Sequence, residues 1–228
     1  MAFTAADVLS RARNQLIDTD AVQRWSDAEL LQYLSDGLRT VSAADPSTAS
    51  KVAVMKMVAG TRQSLPADGN SLLSVTRNMG LDGVTPGRAV RIIRREIMDD
   101  MQPTWHADAK VTTVYNYIYD PQDARAFSVY PPSNGSGYIE INYQYTPVEI
   151  TATTATLQLP DAYLTPLSDY VLMRAHQKDG DFAAGREKSA MYAGMFKLFM
   201  DLSDKGEVEN NPNLQTIPFN PSLKATAK

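Results

Sequence analysis

Long helical periodicity falls at the two ends of this 228-residue chain, and strand patterning dominates its middle. That division constrains the fold more than any single motif. Amphipathic spacing near 3.6 and alternation with period two bury their apolar residues in different backbones. The reading is an α+β protein in which two N-terminal and two C-terminal helices join in one bundle around a β-rich inserted domain. Residues 1–50 carry the first helices, 51–160 the insertion, 161–203 a helical hairpin completing the bundle, and 204–228 an extended arm.

The first helix is expected from Thr4 to Asp18, capped by Thr4 with Asp7, with Val8, Leu9, Ala12, Leu16 and Ile17 on one face. The second starts at Ser26 and runs to about Ser42. Ser26 can cap the free amides and Glu29 can reach back to complete a capping box. Trp25 stands just outside that cap as a staple, and Leu30, Leu31, Leu34 and Leu38 form an apolar stripe. Asp45-Pro46 ends the helix, because proline cannot continue the hydrogen-bond ladder.

Strand pattern follows. Val52–Val58, Gly60 and Thr61–Leu65 read as a strand, a turn and a return strand; Leu72–Met79 reads as another strand. Three glycines and a proline make Gly80–Gly87 a flexible loop. Arg88–Ile93 has the alternation of a half-buried strand, and Glu96–Met101 that of a short helix stopped by Pro103. Val111–Tyr119, Ala126–Tyr130 (ending at Pro131-Pro132) and Tyr138–Tyr145 are dense in β-branched and aromatic residues. Strands at this spacing suggest a small sandwich or barrel-like sheet.

Helical pattern returns from Asp161 to Lys178 and from about Asp181 to Leu202, with Phe182, Met191, Met195, Phe196 and Phe199 among the apolar positions. Their short connection at Gly180 predicts an antiparallel hairpin. The arm from Asp204 to Lys228 carries four scattered apolar residues, Leu214, Ile217, Phe219 and Leu223. They are too few to fold alone, so the segment reads either as plain disorder or as an arm that orders against a partner with these residues as anchors.

Composition removes several classes of function. There is no cysteine, hence no disulfide, thiolate nucleophile or cysteine-based zinc site. A net charge of −4 does not recruit nucleic acid in bulk. The first residues have no basic stretch leading into an apolar run, and no window approaches the ~20 apolar residues of a membrane span, so neither a signal peptide nor membrane association is expected.

Reactive constellations are equally scarce. The two histidines, His106 and His176, lie outside any HExxH spacing; His176 reads as a surface or interface residue. Glu96, Asp99 and Asp100 on a short helix, with Asp120 and Asp123 in a turn, could supply a general acid only if folding set two carboxyls across a cleft. There is no GxSxG, and Gly80–Gly87 lacks the GK[ST] ending of a phosphate loop. No cofactor fingerprint appears. A basic group, Arg88, Arg91, Arg94 and Arg95 with Arg77 nearby, is split across strand faces. It suits ion pairing to another subunit better than DNA contact. The 11 tyrosines, among them Tyr115, Tyr117, Tyr119, Tyr130, Tyr138, Tyr143 and Tyr145, suit both core margin and interface.

The run Arg24-Trp25-Ser26-Asp27-Ala28-Glu29-Leu30-Leu31-Gln32-Tyr33-Leu34 resembles the opening of the head-to-tail adaptor, or connector, proteins of tailed bacteriophages. The resemblance continues through Gly60–Pro66, Arg77-Asn78, Gly87–Arg91, Arg95-Glu96, Asp120-Pro121, Val129–Pro132, Leu159–Asp161 and Asp169–Ala175, and it lies in their order and spacing. It implies a non-enzymatic virion protein, assembled in the host cytoplasm and placed at the neck of the tail vertex. Such proteins form a ring, typically of twelve copies, that docks on the portal, extends the DNA channel without sequence-specific binding, and attaches tail or nozzle proteins. On that reading Arg91, Arg94 and Arg95 sit between subunits, and Leu214, Ile217, Phe219 and Leu223 reach the portal. Two alternatives are a tail-completion or neck protein binding tail rather than portal, and a virion-associated cell-wall hydrolase with Glu96 or Asp99 as acid.

Overall fold

The computed structural model of the chain describes residues 3–19, 23–178 and 183–210. In chain order, β1 (Phe3–Thr4) leads into α1 (Ala5–Leu16) and α2 (Asp27–Ala44), followed by β2 (Ser50–Lys56), β3 (Gly60–Ser64), β4 (Gly69–Asn78) and β5 (Arg91–Ile92). Then come α3 (Arg95–Met101), β6 (Asn116–Tyr119), β7 (Ala126–Ser133), β8 (Tyr138–Tyr145), β9 (Thr156–Leu157), α4 (Leu164–Lys178) and α5 (Ala183–Asn210). The protein is α+β and forms two compact units, one from Met1–Gly37 with Ile150–Lys228, the other from Leu38–Glu149, so the boundary falls inside α2.

In the first unit β1 pairs antiparallel with β9, and the Thr4–Asp7 capping box forms: Asp7 N–H donates to Thr4 Oγ1 at 3.3 Å and Thr4 N–H to Asp7 Oδ2 at 2.8 Å. Val8, Leu9 and Ala12 are buried as the spacing predicts. Ile17 departs from that face. It caps α1 with φ 55° and is 85% exposed. The left-handed turn is unfavourable for a β-branched residue, but it carries Asp18 back onto Arg13. There the Arg13 guanidinium donates to Asp18 Oδ2 (2.9 Å), Asp27 Oδ1 (2.6 Å) and the Trp25 carbonyl (2.9 Å). Asp18 in turn accepts the backbone N–H groups of Arg24 (2.8 Å) and Trp25 (3.3 Å). This buried node fixes how the chain enters α2, and periodicity alone could not reveal it.

At the start of α2, Ser26 Oγ accepts the Glu29 N–H at 3.2 Å, as expected of a cap. The Glu29 carboxylate, expected to close the box, is instead committed to Lys178 Nζ (2.8 Å) and the Tyr33 hydroxyl (2.7 Å). Lys178 holds that carboxyl below its usual range, while burial and Glu29 push the Tyr33 phenol up to about 12. These bonds link α2 to α4, as does Gly37 lying against the Tyr170 ring. The Lys178 ammonium, a charged donor, draws the Glu29 carboxylate away from the cap.

α4 and α5 are antiparallel, with Tyr163 edge-on to Phe199, Tyr170 to Phe196, and the Ser189 hydroxyl donating to the Met173 carbonyl at 3.1 Å. His176, read from sequence as a surface or interface residue, is buried within the chain and stacked on Tyr192 at 5.8 Å between ring centroids. The apolar face of α4 carries it inward. α5 also continues to Asn210, past the predicted end at Leu202, through residues whose pattern lacks apolar periodicity.

The second unit packs two sheets on one core, in the orders β2-β8-β4 and β3-β7-β6-β5. Leu72, Val75, Ile139, Ile141 and Tyr143 of the first meet Tyr117, Phe127 and Val129 of the second. Ile139, Ile141 and Tyr143 alternate along β8, as a half-buried sheet requires. β4 instead buries every third residue, Leu72 and Val75 among them, because its register against β8 shifts repeatedly. β2 and β3 are not the predicted hairpin. β2 pairs antiparallel with β8 and β3 with β7, so the chain crosses between sheets at Val58–Gly60. Gln63, 1% exposed, holds that crossing: its Oε1 accepts the Val58 N–H (2.7 Å) and its Nε2 donates to the Val58 carbonyl (2.8 Å). β7 also continues through Pro131-Pro132 to Ser133. The register with β3 jumps there, so the ladder has no need of the missing N–H groups. Only Asn116–Tyr119 and Arg91–Ile92 of the longer predicted runs pair as strands.

Asn78 joins the two sheets. From the end of β4 its Nδ2 donates to the Val114 and Arg88 carbonyls (both 2.8 Å) and its Oδ1 accepts the Val114 N–H (2.9 Å). Asn78→Ala leaves buried backbone groups unpaired and is expected to lower stability by about 3 kcal/mol in urea unfolding. A loss below 1 kcal/mol would contradict this role.

Candidate functional site

A concave surface of about 380 Å³ opens in the second unit between the start of α3, the turn at Trp105, β3, and the β6–β7 connection. Its floor rests on Trp105, 1% exposed, which packs with Met98 and Ile118 and donates its indole N–H to Asp99 at 2.8 Å. His106 stacks on Trp105 with ring centroids 3.6 Å apart, and its Nδ1 lies 2.9 Å from the Thr61 hydroxyl. Arg62, Arg94, Arg95, Glu96 and Asp123 line the cleft.

The chemistry of this cleft is that of a charged contact surface. Arg62 pairs with Asp123 at 2.5 Å, and Arg95 with Asp99 at 3.5 Å. Asp120 accepts the Gln122 N–H at 2.9 Å and so caps its own turn. Three of the candidate carboxylates therefore serve ion pairs or turn geometry, and Glu96 lines the cleft together with Asp120 and Asp123. Among the described residues no three His, Asp or Glu side chains are grouped to hold a metal ion, and no helix is long and apolar enough to cross a membrane.

The predicted basic group is divided by the fold. Arg94 and Arg95 open α3 and line the cleft, while Arg91 lies exposed on β5 and does not. Arg88 stands over the Tyr115 ring at 4.3 Å and Arg77 pairs with Glu140 at 3.2 Å. The tyrosines divide too: Tyr117 is in the core, and Tyr143 is buried with its hydroxyl on Asp68 at 3.0 Å. The predicted anchors Leu214, Ile217, Phe219 and Leu223 lie outside the described residues.

A second presented surface is the loop at Gly80–Gly87, which is tied down rather than free. Asp82 accepts the Thr85 hydroxyl (2.6 Å) and the N–H groups of Thr85 and Val84 (both 3.0 Å), leaving Leu81 and Val84 outward and largely exposed. Glycine, proline and exposure read as flexibility in sequence; the aspartate supplies the missing constraint.

The two compact units thus present charged and apolar contact surfaces. The chain belongs to the SU10 adaptor protein family, whose model matches residues 3–215. It is a family of bacteriophage head-to-tail adaptors, in agreement with the resemblance carried by the sequence motifs. The protein is thus a phage structural adaptor, which implies a place in the virion and contacts with other virion components. No curated protein matches the chain.

The Thr85 hydroxyl, with the Thr85 and Val84 amides, holds the Asp82 carboxyl at about 2, below the ordinary 3.8. A depressed carboxyl stabilises its loop above the unfolded pKa and loses that contribution as pH falls through the folded value. The Thr85 amide resonance should therefore titrate with a midpoint near pH 2; a midpoint near 3.8 would show that the loop is not held by Asp82.

Proposed function

We propose that this protein forms a closed ring, of twelve copies, between the portal and the tail or nozzle proteins at the capsid vertex, where it extends the DNA channel. The observation that carries this reading is the family match, which spans nearly the whole chain. The division of labour in the fold supports it: the helical unit and the sheet unit each have their own core, so each can face a different partner. An overall charge of −4 suits a channel through which DNA passes without being gripped.

In this arrangement α1, the first half of α2, α4 and α5 form a bundle in the first unit. Arg91, Arg94 and Arg95 contact the adjacent subunit, and residues 211–228 run along the portal with Leu214, Ile217, Phe219 and Leu223 as anchors. Each subunit meets the next through different surfaces, which close by rotation. Repetition around the ring multiplies weak arm contacts into a stable joint.

Truncation after Asn210 keeps every described element. The truncated protein should show the same thermal unfolding as the full chain while retention on immobilised portal falls at least tenfold. Undiminished retention would contradict the portal arm. Retention by tail proteins and none by portal, with the full chain, would favour the tail-completion reading.

A further inference from the structure

α5 turns the buried Ser189 and the half-buried Tyr192 and Phe196 toward α4, yet the face about a third of a turn round from them is also apolar. Met191, Met195, Leu198 and Leu202 are 47%, 48%, 60% and 57% exposed. Their spacing of four, three and four residues is that of a coiled-coil seam, which selects a helix as its partner. Gly194 sits beside this seam inside a 28-residue helix, where it costs about 1 kcal/mol relative to alanine. Among the described residues no atom lies within 4 Å of where its Cβ would stand, so none of them requires a glycine there. A glycine there leaves room for another backbone to approach closely.

Among the described residues, the other helix that exposes large apolar side chains is α3. Ile97 and Met101, 40% and 72% exposed, are four residues apart on one face. The charges around the two faces are complementary. The α5 seam is flanked along one side by Glu187 and Asp201, both exposed. The α3 face begins at Arg94, with Arg91 just before it, and neither arginine has an ion-pair partner among the described residues.

We propose that the α5 seam of one copy packs on the α3 face of the next, with Asp201 opposite Arg94 of that second copy. The contact is head-to-tail, so it generates a ring rather than a two-fold dimer. It rests on the ring reading above and names the surfaces that close it.

The chain has no cysteine, so an introduced pair reports one contact without background. Full-length Leu198→Cys and Met101→Cys variants, mixed in equal amounts, assembled on portal and mildly oxidised, should give covalent dimers on a non-reducing gel. Neither variant alone should do so, and the doubly substituted chain should give a ladder of higher multimers. Asp201→Arg or Arg94→Asp alone should weaken subunit association about tenfold, and the two together should restore it. Both positions are exposed, so folding is preserved. Rings seen by negative-stain microscopy without cross-links would overturn this assignment while leaving the ring. So would a dimer from Leu198→Cys alone, which would mean a seam-to-seam contact. Absence of rings on portal would overturn the ring reading itself.

Discussion

A single buried asparagine ties together the part of this protein that sequence patterning leaves open. Asn78 sits at the end of one sheet and bonds both backbone groups of Val114, at the entry to the other. Hydrophobic burial brings two sheets face to face but is non-directional, and it does not choose the register or the crossing points. Directional bonds in a water-excluded site do, because each alternative strands a buried donor or acceptor. Gln63 acts in the same way at the crossing from β2 to β3, and the Arg13–Asp18 node at the entry to α2. The cleft, the Asp82 loop and α3 all hang from strands that these side chains position.

The legible part of the fold was the part written in periodicity. The Thr4–Asp7 box, the leucine stripe of α2, the strand Tyr138–Tyr145 and the antiparallel relation of α4 and α5 follow from spacing and capping residues. What stayed hidden depends on partners distant in sequence. Glu29 could cap locally or reach Lys178, 149 residues away, and only tertiary structure decides. β2 and β3 read as a hairpin because hairpins are local; the corner between sheets depends on Gln63, a residue with no signature of its own. Several residues that carried the family resemblance, Trp25, Gln63 and Asn78 among them, turn out to be buried or to form these clamps. Their spacing is a record of structure more than of chemistry.

The candidate site was legible only as a set of residue types. Sequence brought Arg91, Arg94 and Arg95 to notice, and the structure separates them: two on the cleft and one on the exposed edge of β5. It also gives most of the candidate carboxylates ordinary structural duties. The apolar outer face of α5 could not be told from a core face, since Met191 and Phe196 look equivalent in a helical pattern until α4 takes one side. A protein whose work is to be gripped from several directions keeps such residues on its surface, at a cost in solubility that assembly removes.

The most direct test of this account is a cryo-electron microscopy map of the particle that contains this chain, focused on the tail vertex. The account predicts a closed ring of copies between portal and tail proteins, with the chain beyond Asn210 running along the portal. A vertex in which portal meets tail with no ring of this chain between them would contradict it.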